Sequence, residues 1–184
     1  LGIEMDDLTG VGAYSMYPRT SALEALQVIN YVGAPYTHKN YKARSQVVFQ
    51  NKTPMSQYRA VGHPVAVAIT ETLMEEGARK LGMDPVDIRR RNLMADDSYP
   101  CEFITGLKME GLSHEASLDK LLTMFDYKGF RTEQASLREQ GIYRGIGFAT
   151  LVEMTNPGPH TYGLGGARIS SQDGAAARMD ASGA

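Results

Sequence analysis

The chain has 184 residues, 42% of them apolar and 22% charged, enough to bury the core of one domain or somewhat more. Its formal net charge of −2 supplies no long-range field to draw in nucleic acid or an anionic membrane. No apolar run approaches the ~20 residues of a membrane span, and the start, Leu1-Gly2-Ile3-Glu4-Met5-Asp6-Asp7, has neither the basic segment nor the apolar core of a secretory signal.

In chain order, Leu8 to Tyr17 alternate loosely and read as the end of a strand entering a loop. Ser21 and Glu24 have the spacing of a capping box, followed by Leu23, Leu26, Val28 and Ile29 up to the breakers Gly33 and Pro35. That predicts a helix of about three turns. Residues 41–50 are β-branched and aromatic near their end and predict a strand. Pro64 suits the first turn of a long helix, on which Val65, Ile69, Leu73 and Leu81 are expected to share the buried face with Ala66, Gly77 and Ala78. Gly82 is its expected C-terminal cap. Asp84-Pro85-Val86-Asp87 restarts a short helix with Asp84 as cap.

Two more helices are expected at 114–125 and 128–140, then a buried strand at 142–154. A strand pair is expected around 167–171 and 175–180, turned at Gln172-Asp173-Gly174. The fold class is therefore mixed α/β (α+β), helices interleaved with strands. Residues 1–184 read as a single incomplete domain with a candidate hinge at 156–166, where Gly158 to Gly166 is glycine-rich.

Most chemistry-bearing side chains have an ordinary structural reading. His38, His63, His114 and His160 lack the spacing of a zinc site and read as surface or loop histidines. No Gly-x-Ser-x-Gly elbow occurs. Gly163-Leu164-Gly165-Gly166 lacks the lysine of a phosphate loop and reads as a turn. Arg89-Arg90-Arg91 reads as a solvated helix face with Val86, Ile88 and Leu93 turned inward. Cys101 is the sole cysteine, which excludes an internal disulfide and a cysteine-held iron–sulfur cluster within the chain. It reads as a small packed residue of a protein in the reducing cytosol. Glu153, at the end of the expected strand, reads as a ladder or turn contact, although a carboxylate there can act as a base.

The loop Gln57-Tyr58-Arg59-Ala60-Val61-Gly62-His63-Pro64 is different. An arginine beside a tyrosine, with the small Ala60 and Gly62, lets backbone approach an anion. The following helix directs its positive end to the same place.

Several segments, in order, resemble the large, molybdenum-cofactor-binding subunit of the xanthine dehydrogenase family. They are Asp7-Leu8-x-Gly10-x-Gly12-Ala13-Tyr14, Gln57 to Gly62, Gly82-Met83-Asp84-Pro85 through Asn92-Leu93, Leu107 to Asp119, Asp126-Tyr127-x-Gly129-Phe130 and Gly145-Ile146-Gly147. The resemblance implies a molybdenum–molybdopterin cofactor and oxidative hydroxylation of an N-heteroaromatic or aldehyde, with water as the oxygen source. It implies that Tyr58, Arg59 and Gly62 bind cofactor, with Arg59 in the molybdenum environment, and that Val61 lines the substrate pocket. Ala60 stands where copper-containing carbon monoxide dehydrogenases have cysteine, and Gln27 where purine-oxidising members have arginine.

The general-base glutamate, a glycine-rich cofactor segment and a Gly-Gln-Gly motif are expected outside this chain. No catalytic residue is therefore assigned within it. The implied partners are the remainder of the large subunit and iron–sulfur and FAD subunits or domains, with self-association through an open sheet edge as an alternative. Alone, the chain is expected to be non-catalytic: either a segment of the enzyme or a folded remnant or interaction module needing complementary chains. An unrelated α/β module with an anion loop is the third reading.

Overall fold

A computed structural model describes residues 2–14, 22–55, 57–154 and 175–183. The chain begins as a β-α-β unit. Strand β1 (Gly2–Val11) pairs in parallel with β2 (Asn40–Phe49), in continuous register from Gly2↔Asn40 to Val11↔Phe49. Parallel strands need a crossover, and α1 (Leu23–Tyr31) supplies it. Exposure alternates along both strands, as period-two geometry requires. Ile3 and Met5 turn to the core, while Glu4 faces outward beside Lys42, with which it forms an exposed ion pair.

Helix α1 buries Ala25, Val28 and Tyr31 on one stripe. Helix α2 (His63–Leu81) follows, with Pro64 in its first turn and a left-handed Gly82 (φ 62°) closing it. Helix α3 (Pro85–Asn92) is capped by Asp84, whose Oδ1 accepts from Val86 N at 2.8 Å. The same carboxylate takes the Tyr127 hydroxyl through both oxygens, at 2.9 and 2.8 Å, and so anchors the start of α5. A 3-10 turn (Asp96–Ser98) and a short antiparallel pair, β3 (Cys101–Glu102) with β4 (Lys108–Met109), lead to α4 (His114–Met124) and α5 (Tyr127–Glu139). Asp96 caps α4 from a distance: its carboxylate accepts from Glu115 N and Ala116 N, and its own N–H donates to Glu115 Oε2.

The expected fold class stands: helices interleave with small sheets. The helices at 114–125 and 128–140, the strand at 41–50 and both caps around Gly82 and Asp84 lie where the sequence placed them. Other expectations need correction. On α2, Val65, Leu73 and Leu81 are exposed, and the buried face is His63, Ala66, Thr70, Glu71, Met74 and Ala78. The small residues Ala66 and Thr70 allow close approach to the segment after α1, where Thr70 Oγ1 accepts from Gly33 N at 2.9 Å. The buried charge of Glu71 is tolerated because Arg89 meets it. Arg89 is thus no solvated residue: it is 1% exposed, while Arg90 and Arg91 face water as expected.

Residues 142–154 form no strand, and neither do 175–180. From Ile146 to Met154 exposure still alternates strictly, with Phe148, Thr150 and Val152 turned inward, so the segment runs extended, without a pairing partner among the described residues. Ala22 occupies the N-cap of α1 without a side-chain hydrogen bond; Ser21, the hinge at 156–166 and the strand at 167–171 lie outside the described residues.

Candidate functional site: the 57–63 loop

The two glycines after Leu8 prepare the approach to the loop. Gln50 N donates to Val11 O at 2.8 Å as β2 ends beside β1. The returning chain then crosses so close to Gly12 that an added Cβ would lie 2.0 Å from Thr53 O. Only glycine permits that crossing.

The loop itself turns through two left-handed residues, Ala60 (φ 55°) and Gly62 (φ 78°), and His63 N closes it onto Ala60 O at 3.0 Å. A left-handed alanine costs about 1 kcal/mol, so the surroundings must hold this turn. Gly62 is buried against α1: a Cβ there would stand 2.6 Å from Glu24 O and 2.7 Å from Gln27 Cβ. The close approach that Gly62 permits is therefore to α1. Gln27 is thereby brought against the loop.

The outward side of the turn carries the other expected residues. Tyr58 is 88% exposed, Arg59 is exposed and Val61 is half-buried. Among the described residues Arg59 makes no hydrogen bond or ion pair. The first turn of α2 has no side-chain cap, and Pro64 has no N–H to offer. An unpaired guanidinium and a phenol beside the positive end of a 19-residue helix suit an anionic group approached from solvent. They do not suit a bare cation, and among the described residues no group of three His, Cys, Asp or Glu is placed to hold a metal ion. A metal that arrives in an anionic organic ligand fits this donor set.

Sequence reasoning missed His63. It is 5% exposed, its ring 4.3 Å from that of Tyr31. Met154 N–H donates to Nε2 at 3.3 Å, so Nδ1 carries the proton and donates to Val61 O at 3.1 Å. No motif marks it; its place directly after a left-handed glycine, at the start of a helix, was the available signal.

The buried polar network lies behind, on α2 and α3. Arg89 Nε and Nη2 donate to Glu71 Oε2 at 3.0 and 2.8 Å, Nη1 to Pro85 O and Glu75, and Nη2 also to Phe148 O. Tyr36 and Thr150 hydroxyls both donate to Glu71 Oε1, at 2.8 and 2.6 Å. Burial works against the Arg89 charge, but Glu71 outweighs it and holds the guanidinium pKa above its ordinary value. Burial first, then the Glu71 carboxylate, pushes the Tyr36 phenol up. With its partners satisfied, this network welds elements together and presents nothing to a ligand.

Burial likewise raises the Cys101 thiol, as suits a packed residue. A groove of about 270 Å³ between α4 and residues 148–151, lined by His114, Leu118, Leu121 and Phe148, includes none of Tyr58, Arg59 or Val61.

Residues 1–93, which include the whole loop, match the molybdopterin cofactor-binding domain. The nicotine 6-hydroxylase large subunit of Paenarthrobacter nicotinovorans is 31% identical over 99% of this chain and 22% of its own length. The xanthine dehydrogenase molybdenum-binding subunit of Escherichia coli O157:H7 is 27% identical over 94% of this chain, again 22% of its own. Quinoline 2-oxidoreductase from Pseudomonas putida 86 superimposes with a TM-score of 0.76 at 29% identity, covering 90% of this chain and 22% of that one. The chain thus spans about a fifth of the length of these relatives. Among the described residues no helix is long and apolar enough to cross a membrane.

Proposed function

The chain belongs to the molybdopterin cofactor-binding domain family, and from that premise we propose that the 57–62 loop is one wall of the cofactor site in a molybdenum hydroxylase large subunit. The observation that carries this reading is Arg59, exposed and without a hydrogen-bond or ion-pair partner among the described residues, on a turn locked from behind by Gly62 and His63. Arg59 would hold the anionic cofactor by charge and hydrogen bonds, with the Tyr58 hydroxyl as a second donor. Val61, half-buried beside them, would shape the apolar side of the substrate pocket. Gly62 would serve the site by fixing the loop on α1. When bound, the cofactor supplies the two-electron chemistry of oxidative hydroxylation; the residues named here bind and orient.

The substrate class we propose is an N-heteroaromatic compound or an aldehyde, with water as the oxygen source. The likeness to nicotine 6-hydroxylase and quinoline 2-oxidoreductase supports the first of these. Gln27, which lies at the loop where the family resemblance implies an arginine in purine-oxidising members, speaks against a xanthine-like substrate bound in that manner. Ala60, left-handed and without a thiol, disfavours copper-dependent carbon monoxide chemistry. We read residues 1–184 as part of one domain, working in the cytosol with the rest of a large subunit and with iron–sulfur and FAD partners.

A need for complementary polypeptide has its own support. Residues 145–153 run extended, and none of their backbone N–H groups has a hydrogen-bond partner among the described residues. Nine such donors are satisfied in proteins by a neighbouring strand or by water. The general-base glutamate would come from that same complementary polypeptide.

Metal analysis of the chain, alone and within a complete large subunit from a host that makes the cofactor, tests the proposal. Molybdenum near one per subunit in the complete protein, with dye reduction on an N-heterocycle, is the expected result. A complete subunit that folds without molybdenum would overturn it.

A further inference from the structure

We propose that His63 is the positioning residue of the 57–62 loop, coupling the backbone at Val61 to the extended segment that ends at Met154. This deepens the cofactor-wall reading and rests on it for its functional meaning, but the geometry stands by itself. The loop contains two left-handed residues, Ala60 and Gly62, and a left-handed alanine persists only where neighbours over-determine it. Gly62 holds one side by its fit against Glu24 and Gln27. The other side, the peptide that carries the Val61 carbonyl, is held by the His63 imidazole at 3.1 Å.

The imidazole is itself fixed on two further sides, by Met154 N–H at 3.3 Å and by the Tyr31 ring at 4.3 Å. It is 5% exposed, so water does not compete for either nitrogen. The three contacts come from α1, from the turn before α2 and from the segment after α5. Among the described residues, Met154 N is the one backbone donor of residues 145–154 that has a partner, and the partner is His63. A shift of that segment is therefore transmitted to Val61, and through the short turn to Arg59 and Tyr58. One imidazole with a single tautomer serves both ends: the acceptor nitrogen takes Met154, the protonated nitrogen holds Val61.

Limited trypsinolysis reads the loop directly, because Arg59–Ala60 is a cleavable bond whose order depends on the turn. It needs no cofactor, so its outcome is independent of whether the molybdenum reading holds. Cleavage at the exposed Arg178 serves as the internal reference. For His63→Ala we expect cleavage after Arg59 to accelerate about fivefold or more, the loss expected when a buried hydrogen bond no longer opposes local opening, with Arg178 unchanged.

His63→Asn places an amide N–H where Nδ1 was, and should stay within about twofold of the wild type, since the Val61 bond survives. His63→Phe keeps the ring contact with Tyr31 but neither nitrogen, and should cleave as fast as His63→Ala. The Phe and Asn variants carry the test if the Ala variant fails to fold. Protection by Phe equal to that by His would reduce the residue to packing and overturn the proposal. Wild-type cleavage in all three variants would overturn it as well, and so would Asn cleaving as fast as Phe.

Discussion

Arg89 and Glu71 form one buried ion pair in which two guanidinium nitrogens, at 3.0 and 2.8 Å, converge on a single carboxylate oxygen. The other oxygen is taken by Tyr36 and Thr150, so helices α2 and α3, the turn after α1 and the extended 148–150 segment meet at one point. Removing one partner strands the other's charge in the interior. Arg89→Ala should therefore cost about 3–5 kcal/mol, read as a lower urea midpoint, whereas Arg89→Met with Glu71→Leu should recover most of it. A loss below about 1 kcal/mol for the single variant would mean that water reaches the site.

Gly62 is under two constraints at once: a φ of 78° and no room for a Cβ next to Glu24 O. Gly62→Ala should destabilise the chain by about 1–3 kcal/mol and displace the loop from α1. Hydrogen exchange at Val61 and His63 would report the displacement. An alanine variant with wild-type melting and exchange would show that α1 yields.

These two sites were legible in the sequence to different degrees. The 57–62 loop stood out because glycine, arginine and a helix-starting proline occur together, and local conformational rules act on such neighbours. The caps at Gly82 and Asp84 were legible for the same reason. Arg89 was misread because three successive arginines suggest a wet face; only the tertiary arrival of Glu71 from 18 positions upstream reverses that. On α2 the expected burial holds at Ala66 and Ala78 but fails at Val65, Leu73 and Leu81, because the closest approach is made by small residues, Thr70 among them, that let backbones come together. Residues 142–154 have the composition of a strand and its alternating exposure, but pairing depends on a neighbour, which no local pattern supplies.

Alkaline titration should expose the buried phenols. The pKa values of Tyr36 and Tyr127 are raised by burial and by the carboxylates of Glu71 and Asp84, and Tyr99 is pushed up to about 12. Below a pH of about 10 folded and unfolded chains both keep these protons. Above it the unfolded chain releases them while the folded chain retains them, so stability falls as pH rises from there through the folded-state values. Melting temperature should decline steadily above that point, and Tyr36→Phe should make the decline shallower. An unchanged slope in that variant would remove Tyr36 from the titration.

Arg59 differs from all of these in being exposed and, among the described residues, without a hydrogen-bond or ion-pair partner. Its replacement by alanine should leave the stability of the chain within about 0.5 kcal/mol of the wild type, so that any loss in the assembled enzyme belongs to the site. A drop in melting temperature comparable to that of Gly62→Ala would indicate a structural role instead.

Arg59→Ala in a complete large subunit carrying this segment, compared with wild type for molybdenum content per protein and for turnover of an N-heterocycle, tests the cofactor-wall assignment most directly. Loss of a charge-assisted contact of about 1.5–3 kcal/mol should lower occupancy or turnover by about tenfold or more, with the fold intact. Equal molybdenum content together with equal turnover would contradict the assignment.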